Sequence, residues 1–108
     1  MPVISCPTTA VAAPAERVWQ LFDRPESYQR WAGIELVHAS PPGPVQAGQV
    51  IEFRTRELGR WWRVLFQVRR VDEPDGLVLD IRLPLGVVNH EHVVLSPIDG
   101  ERTRVTLN

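Results

Sequence analysis

Beyond Gly33 the spacing of apolar residues shortens from a helical period to alternation, and it keeps alternating to the end of the chain. No other feature restricts the fold as much. Successive strand side chains point to opposite sides of a sheet, so an alternating run can bury only one of them. Turn-forming residues divide the stretch at intervals suited to an antiparallel meander. The spacing predicts strands over 34–39, 49–56, 60–71, 77–83, 87–95 and 102–107. Ser40-Pro41-Pro42-Gly43-Pro44 is too rich in proline for a central strand and reads as a connector. Leu58-Gly59, Glu73-Pro74-Asp75-Gly76, Pro84-Leu85-Gly86 and Pro97-Ile98-Asp99-Gly100 read as the other divisions.

Ahead of Gly33 the chain reads as an extended segment from Val3 to Val11 and then two short helices. Pro14 suits a first helical position and Glu16 the positive end of the helix dipole. Ala15, Val18, Leu21 and Phe22 recur at helical spacing and are expected to form one buried stripe beside Trp19, ended by Asp23 and Pro25. The second helix spans 25–31, with Tyr28 and Trp31 on one side.

In the strands, one face collects Ile51, Phe53 and Thr55; Trp62, Val64, Phe66 and Val68; Leu77, Leu79, Ile81 and Leu83; and Thr103, Val105 and Leu107. The other face collects Arg54, Arg56, Arg63 and Arg69 with Glu52, interrupted by Trp61 and Leu65. A concave apolar surface backed by a solvated one is the expectation.

Length and composition set the outer limits. The 108 residues, 44% of them hydrophobic, suit one domain over 1–108 with one core. The net charge of -1 gives no general attraction to nucleic acid or anionic membranes. All twelve basic residues are Arg, but Glu52, Glu57, Asp72 and Glu73 break up the cluster between Arg54 and Arg70, so no nucleic-acid partner is expected. Cys6 is alone, which excludes an intramolecular disulfide and suits a reducing compartment, with the cytoplasm as the expected location. Neither a signal peptide nor a membrane span is expected. The chain has no Gly-rich phosphate loop and no nucleophile elbow, and no cofactor is expected.

Ala12-Ala13-Pro14-Ala15-Glu16-Arg17-Val18-Trp19 resembles the first-helix signature of START-like, helix-grip (SRPBCC) proteins, in particular the polyketide cyclase/dehydrase and lipid-transport branch. Asp23-Arg24-Pro25-Glu26-Ser27-Tyr28-Gln29-Arg30-Trp31 is similar to their second-helix segment. Gly48-Gln49, Val71-Asp72-Glu73-Pro74 and Gly100-Glu101-Arg102-Thr103-Arg104-Val105 follow in matching order. The resemblance implies an α+β helix-grip fold: a curved antiparallel sheet of six or seven strands with two short helices after the first strand. The long C-terminal helix usual in such proteins is absent from this chain, so the domain is expected to be truncated at Asn108, with either a longer natural protein or a homodimer covering the open sheet face.

The resemblance also implies a hydrophobic small molecule, of polyketide, lipid or aromatic type, held in an apolar cavity, with either cyclase/dehydrase-like chemistry or none. A non-catalytic lipid carrier or a chaperone-associated interaction module is the alternative. The residues expected to contact the ligand are Trp31, Phe53, Trp62, Phe66, Leu79, Ile81, Leu83, His90 and His92. Trp19 is expected in the core. Trp61 must face away from Trp62 and is a candidate contact for another subunit. His90 and His92, two apart on a strand, share a face. Three readings are open for them: a pair of metal ligands short of a full set, polar groups that orient a ligand or move a proton, and part of a solvated face. If Val94 faces the pocket, so do the histidines; if Val93 and Leu95 face it, Glu91 joins them instead.

Overall fold

The computed structural model describes residues 8–107. The chain opens with strand Thr8–Val11 (β1), continues through helix Ala15–Trp19 (α1), a 3₁₀ turn Pro25–Ser27 and helix Tyr28–Trp31 (α2), and then becomes sheet. Six strands follow: Glu35–Ser40 (β2), Val50–Glu57 (β3), Arg60–Asp72 (β4), Gly76–Arg82 (β5), Val88–Asp99 (β6) and Arg102–Leu107 (β7), with a 3₁₀ turn at Pro84–Gly86 between β5 and β6. All seven strands form one curved antiparallel sheet in the order β1-β7-β6-β5-β4-β3-β2. Of the extended segment expected over Val3–Val11, the part before Thr8 lies outside the described residues.

Because β1 is at one edge of the sheet and β2 at the other, the segment between them must cross its whole width. That crossing lays α1 and α2 over one face, which becomes the inner one. Ile51 and Phe53 of β3, Val64, Phe66 and Val68 of β4, Leu77 and Leu79 of β5, and Val93 and Leu95 of β6 are buried there against Val18, Trp19, Phe22 and Tyr28. Fully burying such a side chain contributes about 1.5–3 kcal/mol, which makes this layer the main source of stability. The register agrees with the alternation: Phe53 stands opposite Val64, Ile51 opposite Phe66, and Phe66 opposite Ile81.

Two details depart from expectation. α1 ends at Trp19, and the chain continues through turns closed by bonds such as Leu21 N to Val18 O and Phe22 N to Trp19 O, both 2.9 Å. Helical phase no longer governs beyond that point, and Leu21 is 38% exposed instead of buried with Val18 and Phe22. The second is that β6 runs through Pro97 and Ile98 to Asp99, where a division was expected. Proline is tolerated because β5 begins at Gly76, opposite Val94, and the last bond on that side runs from Leu95 N to Asp75 O at 2.7 Å, so at Pro97 the edge of β6 is free and no donor is needed. The proline-rich connector is fastened from inside by Gln49, which is fully buried and donates through Nε2 to the carbonyls of Pro41 at 2.9 Å and Gly43 at 3.2 Å.

Candidate functional site

The site begins with α2. Tyr28 stands edge-on to Phe66 and Phe53, with ring centres 5.2 and 5.7 Å away, which fixes the helix over β3 and β4. Trp31, one turn later, lies 5.8 Å from Tyr28 and 5.5 Å from Phe22 and is half exposed at the rim. The polar tips of both rings are turned away from the sheet. Tyr28 Oη donates to the Phe22 carbonyl at 3.4 Å, and Trp31 Nε1 donates to the Leu21 carbonyl at 2.9 Å. Burial pushes the Tyr28 phenol well above its ordinary range, and the Asp23 carboxylate adds to the effect. Tyr28 is therefore a neutral wall rather than an acid or base near neutral pH.

Between helix and sheet lies a hollow of about 150 Å³. Phe22, Tyr28, Trp31 and Ala32 form its roof, and Phe66, Leu79, Ile81, Val93 and Leu107 its floor. Among the described residues Glu91 is the one carboxylate in the lining. A second hollow of about 300 Å³ lies farther along the same face, where α2 no longer covers the sheet. Trp62 and Val64 of β4 line it with Thr55 and Glu57 of β3, Leu58 of the following turn, Leu83, and the loop residues Pro84 and Leu85.

The expected contact residues therefore divide. Trp31, Phe66, Leu79 and Ile81 meet in the first hollow, and Trp62 and Leu83 meet in the second. Phe53 lines neither: it is fully buried, in a triangle of rings with Phe66 4.7 Å and Tyr28 5.7 Å away, so it is core. His90 and His92 are placed on the opposite face. Leu77 pairs with Val93 and Leu79 with Glu91, so Val93, Leu95 and Glu91 look inward, while His90 and His92 stand opposite the outward Asp80 and Val78. Sequence reasoning did not single out Ala32, placed Phe22 in the buried stripe without marking it as roof, and left Val93 with Glu91 as one of two alternatives for the inward side of β6.

On the outer face His90 Nδ1 lies 2.5 Å from Asp80 Oδ1, and Arg69 donates through Nε to Asp80 Oδ2 at 2.7 Å. The hydrogen bonds to His90 and Arg69, in that order, hold the Asp80 carboxyl below its ordinary range. Among the described residues, no three His, Cys, Asp or Glu side chains converge as a metal site would require. Trp61 is half exposed on this face, with the Arg54 guanidinium 4.4 Å above its ring.

A seven-stranded antiparallel sheet, two short helices gripped against its inner face and an apolar hollow between them define the START-like, helix-grip class. The chain belongs to the family described as polyketide cyclase / dehydrase and lipid transport, which matches residues 7–108. No curated protein matches it. Solved structures share the fold at low identity. A protein from Arthrobacter aurescens, solved by NMR, superposes with a TM-score of 0.77 at 22% identity, over 98% of this chain and 73% of its own. The crystal structure of protein Ms6760 from Mycobacterium smegmatis gives 0.70 at 17% identity, over 94% and 68%. DynU16, a putative protein in the dynemicin biosynthetic locus, gives 0.67 at 22% identity over 94% of this chain, which corresponds to 34% of DynU16.

Proposed function

We propose that this protein takes up a hydrophobic small molecule between α2 and the inner face of the sheet. The observation that carries this reading is the first hollow, where residues from the helical segment and four strands surround an open volume with apolar and aromatic groups and one carboxylate. Binding pockets commonly combine an apolar lining with a few polar groups. At about 150 Å³ the hollow suits a single ring, since an apolar cavity of roughly that size in another protein stays dry and accepts benzene. The neighbouring hollow of about 300 Å³ extends the space toward the ~300–1,000 Å³ of pockets for larger ligands. A ring system longer than one unit would occupy both, along the row Phe66, Val64, Trp62.

Family membership supports the same reading, because a cyclase, a dehydrase and a lipid carrier all begin by removing an apolar molecule from water. With His90 and His92 on the outer face, any proton transfer inside the hollow falls to Glu91.

Titration with 2-methylnaphthalene, followed by tryptophan fluorescence and methyl NMR, tests the uptake. Saturable binding that shifts the Leu79 and Ile81 methyl signals, and that weakens at least about tenfold when Ile81→Trp fills the space, is the expected result. Shifts confined to the outer face, or binding indifferent to Ile81→Trp, would overturn it.

A further inference from the structure

We infer that the hollow is selective for ligands carrying a hydrogen-bond donor, such as a phenol or enol hydroxyl on an aromatic ring, and that Glu91 is the group that reads it. The inference rests on the uptake proposed above and goes beyond it by assigning the polar end of the ligand.

Glu91 faces inward because its cross-strand partner is Leu79, and half-buried it borders a lining that is otherwise apolar. The aromatic walls hold two groups able to donate, the Tyr28 hydroxyl and the Trp31 indole, and both are committed to carbonyls of their own segment, at Phe22 and Leu21. The other lining residues are Phe22, Ala32, Phe66, Leu79, Ile81, Val93 and Leu107, none of which has a polar side chain. Among the described residues no arginine borders the hollow, and the lining offers the carboxylate neither a cation nor an uncommitted side-chain donor.

A molecule entering the hollow displaces water from around Glu91. An entirely apolar ligand leaves the carboxylate without that solvation, whereas a ligand with a suitably placed hydroxyl restores it. The register also sets Asn89 on this face, opposite Ile81, so the inward side of β6 passes from polar at Asn89 and Glu91 to apolar at Val93 and Leu95. A bound ring would therefore point its donor toward the start of β6 and its bare edge toward Val93.

The test compares 2-naphthol with the near-isosteric 2-methylnaphthalene on the wild-type protein, Glu91→Gln and Glu91→Leu. We expect the wild type to bind the naphthol about ten- to a hundredfold more tightly, the range expected for a hydrogen bond to a charged group. Glu91→Gln should keep part of that preference, and Glu91→Leu should lose it while holding methylnaphthalene at least as well. Equal affinity of the wild type for both compounds, or a preference that survives Glu91→Leu, overturns the role of Glu91 and leaves the uptake intact. Failure of both compounds to bind in the hollow overturns the uptake and this inference with it. Circular dichroism of each variant separates these outcomes from misfolding.

Discussion

Asp80 and His90 stand directly opposite each other on β5 and β6, and the imidazole Nδ1 meets the carboxylate at 2.5 Å. The contact lies on the outer side of the sheet, where Arg69 closes it from β4 at 2.6 Å. Three neighbouring strands are thereby tied at one point, and the tie depends on pH. Because the folded Asp80 carboxyl titrates below its ordinary value of about 3.9, its stabilising effect is complete above that value and fades as pH falls through the lower, folded one. Chemical denaturation from pH 6 to pH 2 should show the wild type losing stability on the acid limb more steeply than Asp80→Asn. Asp99, held low by the Glu101 amide and then by Arg102, should leave a residual slope in both. Parallel acid limbs would show that the tie does not contribute.

Changing His90 and His92 to Ala should leave the affinity for 2-methylnaphthalene within about twofold of wild type, since neither side chain reaches the hollow. Loss of binding without loss of fold would contradict the register described here.

Phe53→Ala should cost about 3–5 kcal/mol in equilibrium unfolding, as expected for a fully buried aromatic packed against two other rings. Trp31→Ala, at a half-exposed rim position, should cost clearly less stability and more ligand affinity. Equal costs in unfolding would mean that the rim and the core are not distinct.

Leu58 occupies the left-handed region at φ 53° in the β3–β4 hairpin, followed by Gly59 at φ 74°, and its side chain is 94% exposed. Two-residue hairpin turns of this conformation favour Asn-Gly, because a leucine strains its backbone there. Leu58→Asn should stabilise the protein by about 0.5–1 kcal/mol, visible as a rise in Tm of a few degrees.

Gly76 makes the opposite case. It faces Val94 in the ladder, and a Cβ placed on it would collide with the backbone carbonyl of Val93. Gly76→Ala should therefore destabilise by about 1–3 kcal/mol or more, because backbone must move to admit one carbon. A neutral effect in denaturation would show the β5–β6 pairing to be looser at that point.

Most of the strand plan was legible because most strands carry their own alternation, and Leu77 and Leu79, with the partly buried Ile81, mark which side of β5 faces inward. β6 was not legible in the same way. Val93 and Val94 are both apolar, so the strand has two acceptable phases, and only pairing with β5 chooses between them. A signal did exist: a histidine opposite an outward aspartate makes a favourable cross-strand pair, which would have set the phase and turned both histidines out. Leu21 misled because helical spacing holds only while the helix lasts. The division of the apolar face into two hollows, with Phe53 packed solid between α2 and the sheet, depends on how far α2 reaches, and that is a matter of tertiary packing rather than local pattern.

From β2 to β7 every ladder joins strands that follow one another in the chain, but β1 pairs with β7, Thr8 opposite Thr106. Closing that pair means joining segments separated by nearly the whole polypeptide, so it repays its entropy only after the local hairpins exist. It should be the last seam to form and the first to part, and amide exchange in β1 should outpace that in β4 and β5. The roof of the hollow is tethered at one end to this same seam. Its opening would slacken α1 and α2 together and offer a bulky guest a way in that the closed molecule does not.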